Sequence, residues 1–124
     1  MYVYEAIGET LRRLGSDTVF GLAGGANVLF LTHMTHQCGM RYFAARHESP
    51  AVSMADGYSR VSGKIGIASV TSGPGVTNAL TALAEAVKGS SPMLLLAGDT
   101  AEWEAGTNQD IDQAAVAASV RVPP

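Results

Sequence analysis

A chain of 124 residues that is 47% apolar and 15% charged has enough hydrophobic side chain for one buried core, and reads as a single domain or as part of one. Its net charge of −3, with no cluster of Lys or Arg, argues against a nucleic-acid footprint and against a basic membrane surface. One cysteine, Cys38, cannot close an intramolecular disulfide, and no charged-then-apolar leader or long apolar span is present, so a reducing cytoplasm is the expected compartment.

Val3, Ile7, Leu11 and Leu14 recur at helical spacing, with Arg12 and Arg13 near the end and Gly15 just beyond, which predicts a first helix facing a core on one side. Thr18-Val19-Phe20 reads as a strand, followed by a loop at Gly24-Gly25 and a helix that is N-capped by Asn27, runs to about His36 and stops near Gly39. Residues 42–45 are a short apolar run, and Ala51, Met54, Ala55 and Tyr58 then fall at i, i+3, i+4 and i+7, so a strand precedes a small-residue helix over 49–62. Residues 65–70 are rich in β-branched side chains, and Val76, Leu80, Leu83, Ala84 and Val87 mark a further helix ended by Gly89. Residues 93–97 predict a buried strand, 99–113 a polar loop, and 114–120 the start of another helix. Apolar strands alternating with helices specify an α/β fold, a doubly wound parallel sheet with helices on both faces.

Glu48 is the first residue to explain, because a strand that delivers an acid to the carboxyl edge of such a sheet puts it where α/β proteins bind ligands. Taken alone, a glutamate at that point also opens a helix, where the dipole favours it by roughly 0.3–1 kcal/mol. Ser72-Gly73-Pro74-Gly75 lies between strand and helix, so its amides and the helix dipole face the same edge and suit a polar or anionic ligand. A dinucleotide loop is disfavoured, since Asn78 stands where a third glycine belongs and Pro74 removes a donor. His33, His36 and Cys38 fit no common zinc spacing and read as a surface helix end, so no residue is assigned to a metal. His47, beside the acid, is open to packing, hydrogen bonding or acid/base work. Trp103, between Glu102 and Glu104, reads as a loop tip or contact surface.

Four motifs follow one another in order: Arg46-His47-Glu48, Ala55-Asp56-Gly57-Tyr58, Thr71-Ser72-Gly73-Pro74-Gly75-Val76-Thr77-Asn78 and Pro92-Met93-Leu94-Leu95-Leu96-Ala97-Gly98. With Val19-Phe20-Gly21 and Gly24-Gly25-Ala26 upstream and Gln109-Asp110-Ile111-Asp112-Gln113 downstream, nearly the whole chain resembles the N-terminal pyrimidine-binding domain of thiamine diphosphate enzymes, above all the acetolactate synthase-like group.

The resemblance implies that Glu48 is the catalytic acid, hydrogen-bonded to N1′ of the coenzyme's aminopyrimidine, which then removes the proton from the reactive thiazolium carbon. An acid that exchanges a proton with a weakly basic ring nitrogen near neutral pH needs a desolvated, largely apolar neighbourhood. Thr71, Pro74, Gly75 and Asn78 take the positions that border the aminopyrimidine, and Ala23 and Gly24 those of the first cofactor loop, where proline is common at the place of Ala23. Gln109 matches a glutamine that reaches the site, although Asn108 stands where an aromatic residue is usual, and Ser49 and Pro50 also depart from the pattern.

The resemblance further implies that residues 1–124 are one domain cut short before its last strands. The diphosphate and Mg²⁺ would be held by a separate domain carrying Gly-Asp-Gly, a motif that Gly98-Asp99-Thr100 does not reproduce. That domain comes from a partner subunit of a homodimer or homotetramer, so the site is an interface, and the isolated chain is expected to be inactive. The activity implied for the longer protein is decarboxylation of a 2-oxo acid such as pyruvate with transfer of the two-carbon unit, with FAD left open as a further cofactor. Another 2-oxo acid decarboxylase, an acetyltransferase, and a noncatalytic α/β ligand-binding module remain as alternatives.

Overall fold

The computed structural model describes residues 1–123. Its elements are α1 (Val3–Arg13), β1 (Thr18–Gly21), α2 (Val28–His36), β2 (Arg41–Ala44), α3 (Glu48–Ser62), β3 (Gly66–Val70), α4 (Pro74–Lys88), β4 (Met93–Ala97), a 3-10 turn at Glu102–Glu104 and α5 (Gln113–Ser119). The strands form one parallel sheet in the order β2-β1-β3-β4, so the direction of winding reverses between β1 and β3. Alternate side chains along the strands serve opposite faces. Val19 and Ile67 pack with Leu11 of α1 and Phe30, Leu31 and Met34 of α2, while Phe20 and Ala68 pack with Val52 and Ala55 of α3 and Ala79 and Leu83 of α4. This is the doubly wound α/β arrangement that the pattern predicts.

Small residues let α3 lie against the central strand. A Cβ on Gly66 would collide with the Ala55 carbonyl oxygen, so helix and strand backbones are in direct contact there. Gly15 and Gly63 end α1 and α3 in the left-handed region, as an αL stop requires. Gly89 does not: it keeps an ordinary φ, and Ser90 takes φ 51° instead. A Cβ on Gly89 would meet the Arg60 guanidinium, the far end of a flexible side chain that can move aside.

Three expectations need correction. The apolar stripe of α1 is buried only at Leu11, with Gly8 beside it, while Val3 and Leu14 are 77% and 69% exposed. Val3 and Ile7 instead line an open groove of about 410 Å³ with Phe30, Leu95 and Leu96. Residues 93–97 are not a buried strand: β4 is an edge with Leu94 exposed, and β2 is the other edge with Phe43 exposed. A continuous apolar run records side-chain chemistry but not whether a neighbouring strand covers it. Asn27 does stand at the N-cap of α2, but its side chain makes no capping bond.

The amino rim of the sheet is tied together by Asp17. Lys64 Nζ lies 2.7 Å from Asp17 Oδ2, and the hydroxyls of Tyr58 and Thr18 each donate to Oδ1 at 2.8 Å. These donors, Lys64 first and then Tyr58, hold the Asp17 carboxyl well below the usual carboxylate range. A carboxylate depressed by folding contributes stability above its unfolded value of about 3.9, and that contribution is lost as pH falls through the folded value. Thermal unfolding followed from about pH 5 down to about pH 2 is therefore expected to show a falling midpoint, with a shallower fall in Asp17→Asn.

Candidate functional site

The carboxyl ends of β1, β2 and β3 open onto three short connections, and the winding reversal between β1 and β3 makes this rim the ligand-binding edge of an open α/β sheet. Glu48 is the first residue of α3, delivered there by β2 and only 7% exposed. Asn78, from the second turn of α4, donates its Nδ2–H to Glu48 Oε2 at 3.0 Å. The Ser49 hydroxyl donates to the Asn78 carbonyl at 2.7 Å, so the two helix starts are stitched together around the carboxylate. Among the described residues no hydrogen bond reaches Glu48 Oε1. Asn78 supplies the donor that a buried carboxylate needs.

His47 is the N-cap of α3: its Nδ1 accepts from the Ser49 amide at 3.3 Å. The same Nδ1 lies 4.0 Å from Glu48 Oε2. The histidine is exposed and its observed contact is structural.

Thr71 links the other assigned residues. A Cβ on Gly24 would lie 2.7 Å from Thr71 Cβ, and one on Gly75 would lie 3.0 Å from Thr71 Cγ2, so both glycines let the loop after β1 and the start of α4 close on this side chain. The Ala26 amide donates to Thr71 Oγ1 at 3.4 Å. Ala23 and Pro74 are exposed on the rim, Pro74 as the first residue of α4 where no amide is needed. Gly24, Thr71 and Gly75 thus form one group and Glu48 and Asn78 another, with α4 carrying a member of each.

Gln109 lies over the Gly-Pro-Gly turn. Its side-chain Oε1 accepts from the Ser72 hydroxyl at 3.0 Å, and its backbone sits where a Cβ on Gly73, at φ 63°, would come within 2.5 Å of the Gln109 carbonyl oxygen. The side chain is turned to Ser72, away from an exclusive role toward a ligand. Gln113 was not singled out by chemistry, yet it accepts from the Gly73 amide at 3.0 Å and donates to the Gly98 carbonyl at 2.9 Å and to Asp99 Oδ1 at 3.0 Å. The amide that suggested an anion site is therefore already engaged, and Gln113 locks the loop after β3 to that after β4.

Asn27, 2% exposed, is the second residue whose work was not legible. It accepts from the Gly24 amide at 2.7 Å and donates to the Leu22 carbonyl at 3.1 Å and to Ser69 Oγ at 3.0 Å, shaping the whole loop after β1. Asn27→Ala strands buried partners and is expected to cost about 1–3 kcal/mol, read as a lower urea midpoint with an unchanged slope.

Asp56 and Tyr58 stand apart from the rim. Asp56 receives Arg60 through two bonds of 2.8 and 3.0 Å, which pull its carboxyl below the ordinary range against the effect of burial, and Tyr58 points to Asp17. The 410 Å³ groove contains none of the Glu48 group.

A parallel α/β sheet with a buried carboxylate at its carboxyl rim, beside the winding reversal, has the arrangement of a small-molecule or cofactor domain. The sequence model of the thiamine pyrophosphate enzyme N-terminal TPP binding domain matches residues 1–116, and the chain belongs to that family; thiamine pyrophosphate is thiamine diphosphate under its other name. The chain is 37% identical over 114 residues to the acetolactate synthase large subunit of Lactococcus lactis subsp. lactis (strain IL1403), covering 90% of this chain and 20% of the relative. It is 45% identical over 95 residues to that of Haemophilus influenzae, covering 76% and 16%. It is 41% identical over 111 residues to 2-hydroxyacyl-CoA lyase 2 of Danio rerio, covering 88% and 18%. The chain spans about a fifth or less of the length of these relatives.

Proposed function

We propose that this chain supplies the pyrimidine-binding side of a thiamine diphosphate site, and that the longer enzyme it serves decarboxylates a 2-oxo acid such as pyruvate and transfers the two-carbon unit, as in acetolactate formation. The observation that carries this reading is the buried Glu48 carboxylate, held at Oε2 by Asn78 and open at Oε1. Thiamine diphosphate, when bound, supplies the nucleophilic carbon and the electron sink that decarboxylation needs.

This chain's own residues do the rest. Glu48 would hold a proton at the ring nitrogen N1′ of the bound coenzyme. Asn78 and Ser49 keep the carboxyl group in one orientation, which spares that ordering at the moment of proton transfer. Thr71, Gly24 and Gly75 fix the gap between the two rim loops, and Ala23 and Pro74 offer exposed apolar surface to a flat ring. Gln109 and Gln113 hold the segment after β4 over the turn and so restrict water at this edge. The diphosphate and Mg²⁺ belong to a second domain on a partner subunit of a homodimer or homotetramer. The rim is an open surface suited to such a partner. No helix among the described residues is long and apolar enough to cross a membrane, and the lone thiol fits a reducing compartment such as the cytoplasm.

The likeness to 2-hydroxyacyl-CoA lyase 2 favours a second reading, a thiamine-dependent lyase. Assaying the longer protein with thiamine diphosphate and Mg²⁺ on pyruvate, with and without a second 2-oxo acid as acceptor, separates the two. Cofactor-dependent pyruvate consumption that yields a carbon–carbon coupled product is expected. Free aldehyde alone would indicate a simple decarboxylase, cleavage of a 2-hydroxyacyl-CoA without action on pyruvate would indicate the lyase, and no cofactor-dependent turnover would indicate a binding module.

A further inference from the structure

We propose that Glu9, His33 and Cys38 form a binding site for one zinc-class divalent cation between α1 and α2, separate from the Glu48 rim. One ligand atom from each of the three residues lies within 4.8 Å of the others. Ligands around tetrahedral zinc stand roughly 3.3–3.8 Å apart, given metal–ligand bonds of about 2.0–2.3 Å, so a contraction of about 1 Å completes the set. An independent observation points to a missing partner: His33 Nε2 is shut off from solvent and has no hydrogen bond among the described residues. A buried polar nitrogen left bare is unfavourable, and a cation would satisfy it.

The local packing explains how the group is brought together. His33 is in the last turn of α2 and Cys38, buried and free, follows that helix into β2, which sets both at the amino rim of the sheet. Glu9 comes from α1, which approaches through Gly8; a Cβ on Gly8 would lie 2.9 Å from His33 Cδ2 and 3.2 Å from Cys38 Sγ. Among the described residues the one charged partner of Glu9 is Arg12 at 3.6 Å, an exposed pair that yields readily to a cation. A hollow lined by Tyr4, Thr32, His33 and His36 lies beside the group and offers a way in.

Thiolate, imidazole and carboxylate together suit zinc over magnesium or calcium, and three protein ligands leave a fourth position for water. The sequence spacing of His33, His36 and Cys38 hides this site, because the third ligand is Glu9 and the exposed His36 takes no part.

The test is titration of the purified, metal-free chain with Co²⁺ as a coloured stand-in for Zn²⁺. One equivalent is expected to give a thiolate-to-cobalt charge-transfer band that Zn²⁺ removes. Cys38→Ser should abolish the band, His33→Gln and Glu9→Gln should weaken binding by about tenfold or more, and His36→Gln should leave it unchanged. Zn²⁺ should also raise the thermal midpoint of the wild-type chain and of His36→Gln, but not of His33→Gln. Absence of the band at one equivalent, or unchanged affinity in both His33→Gln and Glu9→Gln, would overturn the site. Those two variants carry the test if Cys38→Ser fails to fold.

Discussion

Glu48→Gln in the longer enzyme is expected to lower thiamine diphosphate-dependent turnover by about 10²–10⁴-fold, the range lost when a positioned acid or base is removed. The substitution keeps the size of the side chain, and a glutamine oxygen still accepts from Asn78 Nδ2, so the stitch between α3 and α4 survives. What disappears is the ability to hold and return a proton at Oε1. The fold should be unaffected, and initial rates at saturating coenzyme and Mg²⁺, set beside an unchanged thermal midpoint, separate chemistry from stability. Asn78→Ala should have a smaller effect, about tenfold, because it loosens the carboxyl group without removing it.

Gly66→Ala is expected to be the most damaging single methyl in the domain, costing about 3 kcal/mol or more. The added carbon would overlap the Ala55 carbonyl oxygen and lie 2.8 Å from the Ala55 carbonyl carbon, both of them backbone atoms. No rotamer change can relieve such a contact, and β3 is buried along its whole length. Either α3 moves off the sheet, displacing Glu48 at its first residue, or the strand shifts register. Gly57→Ala makes the control, since nothing lies within 4 Å of the position a Cβ would take there. In the middle of α3 that change should stabilise by roughly 0.5–1 kcal/mol. Urea denaturation of the two variants should move the midpoint in opposite directions.

The order of elements and the parallel sheet were legible because strand and helix are written in different periods. Short apolar runs bounded by Gly and Pro alternate with i, i+3, i+4 patterns, and only a βα succession satisfies both. Exposure was not legible: the same Leu94-Leu95-Leu96 run serves an edge or a centre, and the stripe of α1 reads the same over a core or over an open groove. Glu48 and its placement after β2 could be read locally. Its partner Asn78, thirty positions on, could not be paired with it from spacing, and neither could Ser69 with Asn27 or Gly73 with Gln113. Each is a long-range hydrogen bond of a small polar residue that local pattern assigns to a helix cap or a loop. His47 shows the converse, a residue beside an acid whose nearest duty is to cap a helix.

Every proposed role on this rim depends on Glu48 meeting the pyrimidine ring of thiamine diphosphate. The most direct test is a crystal structure of the longer protein with the coenzyme bound. A Glu48 carboxyl oxygen about 2.6–3.2 Å from N1′, with Asn78 still on the other oxygen, is the predicted result. A coenzyme seated elsewhere, or a ring whose N1′ faces another side chain or water, would contradict it.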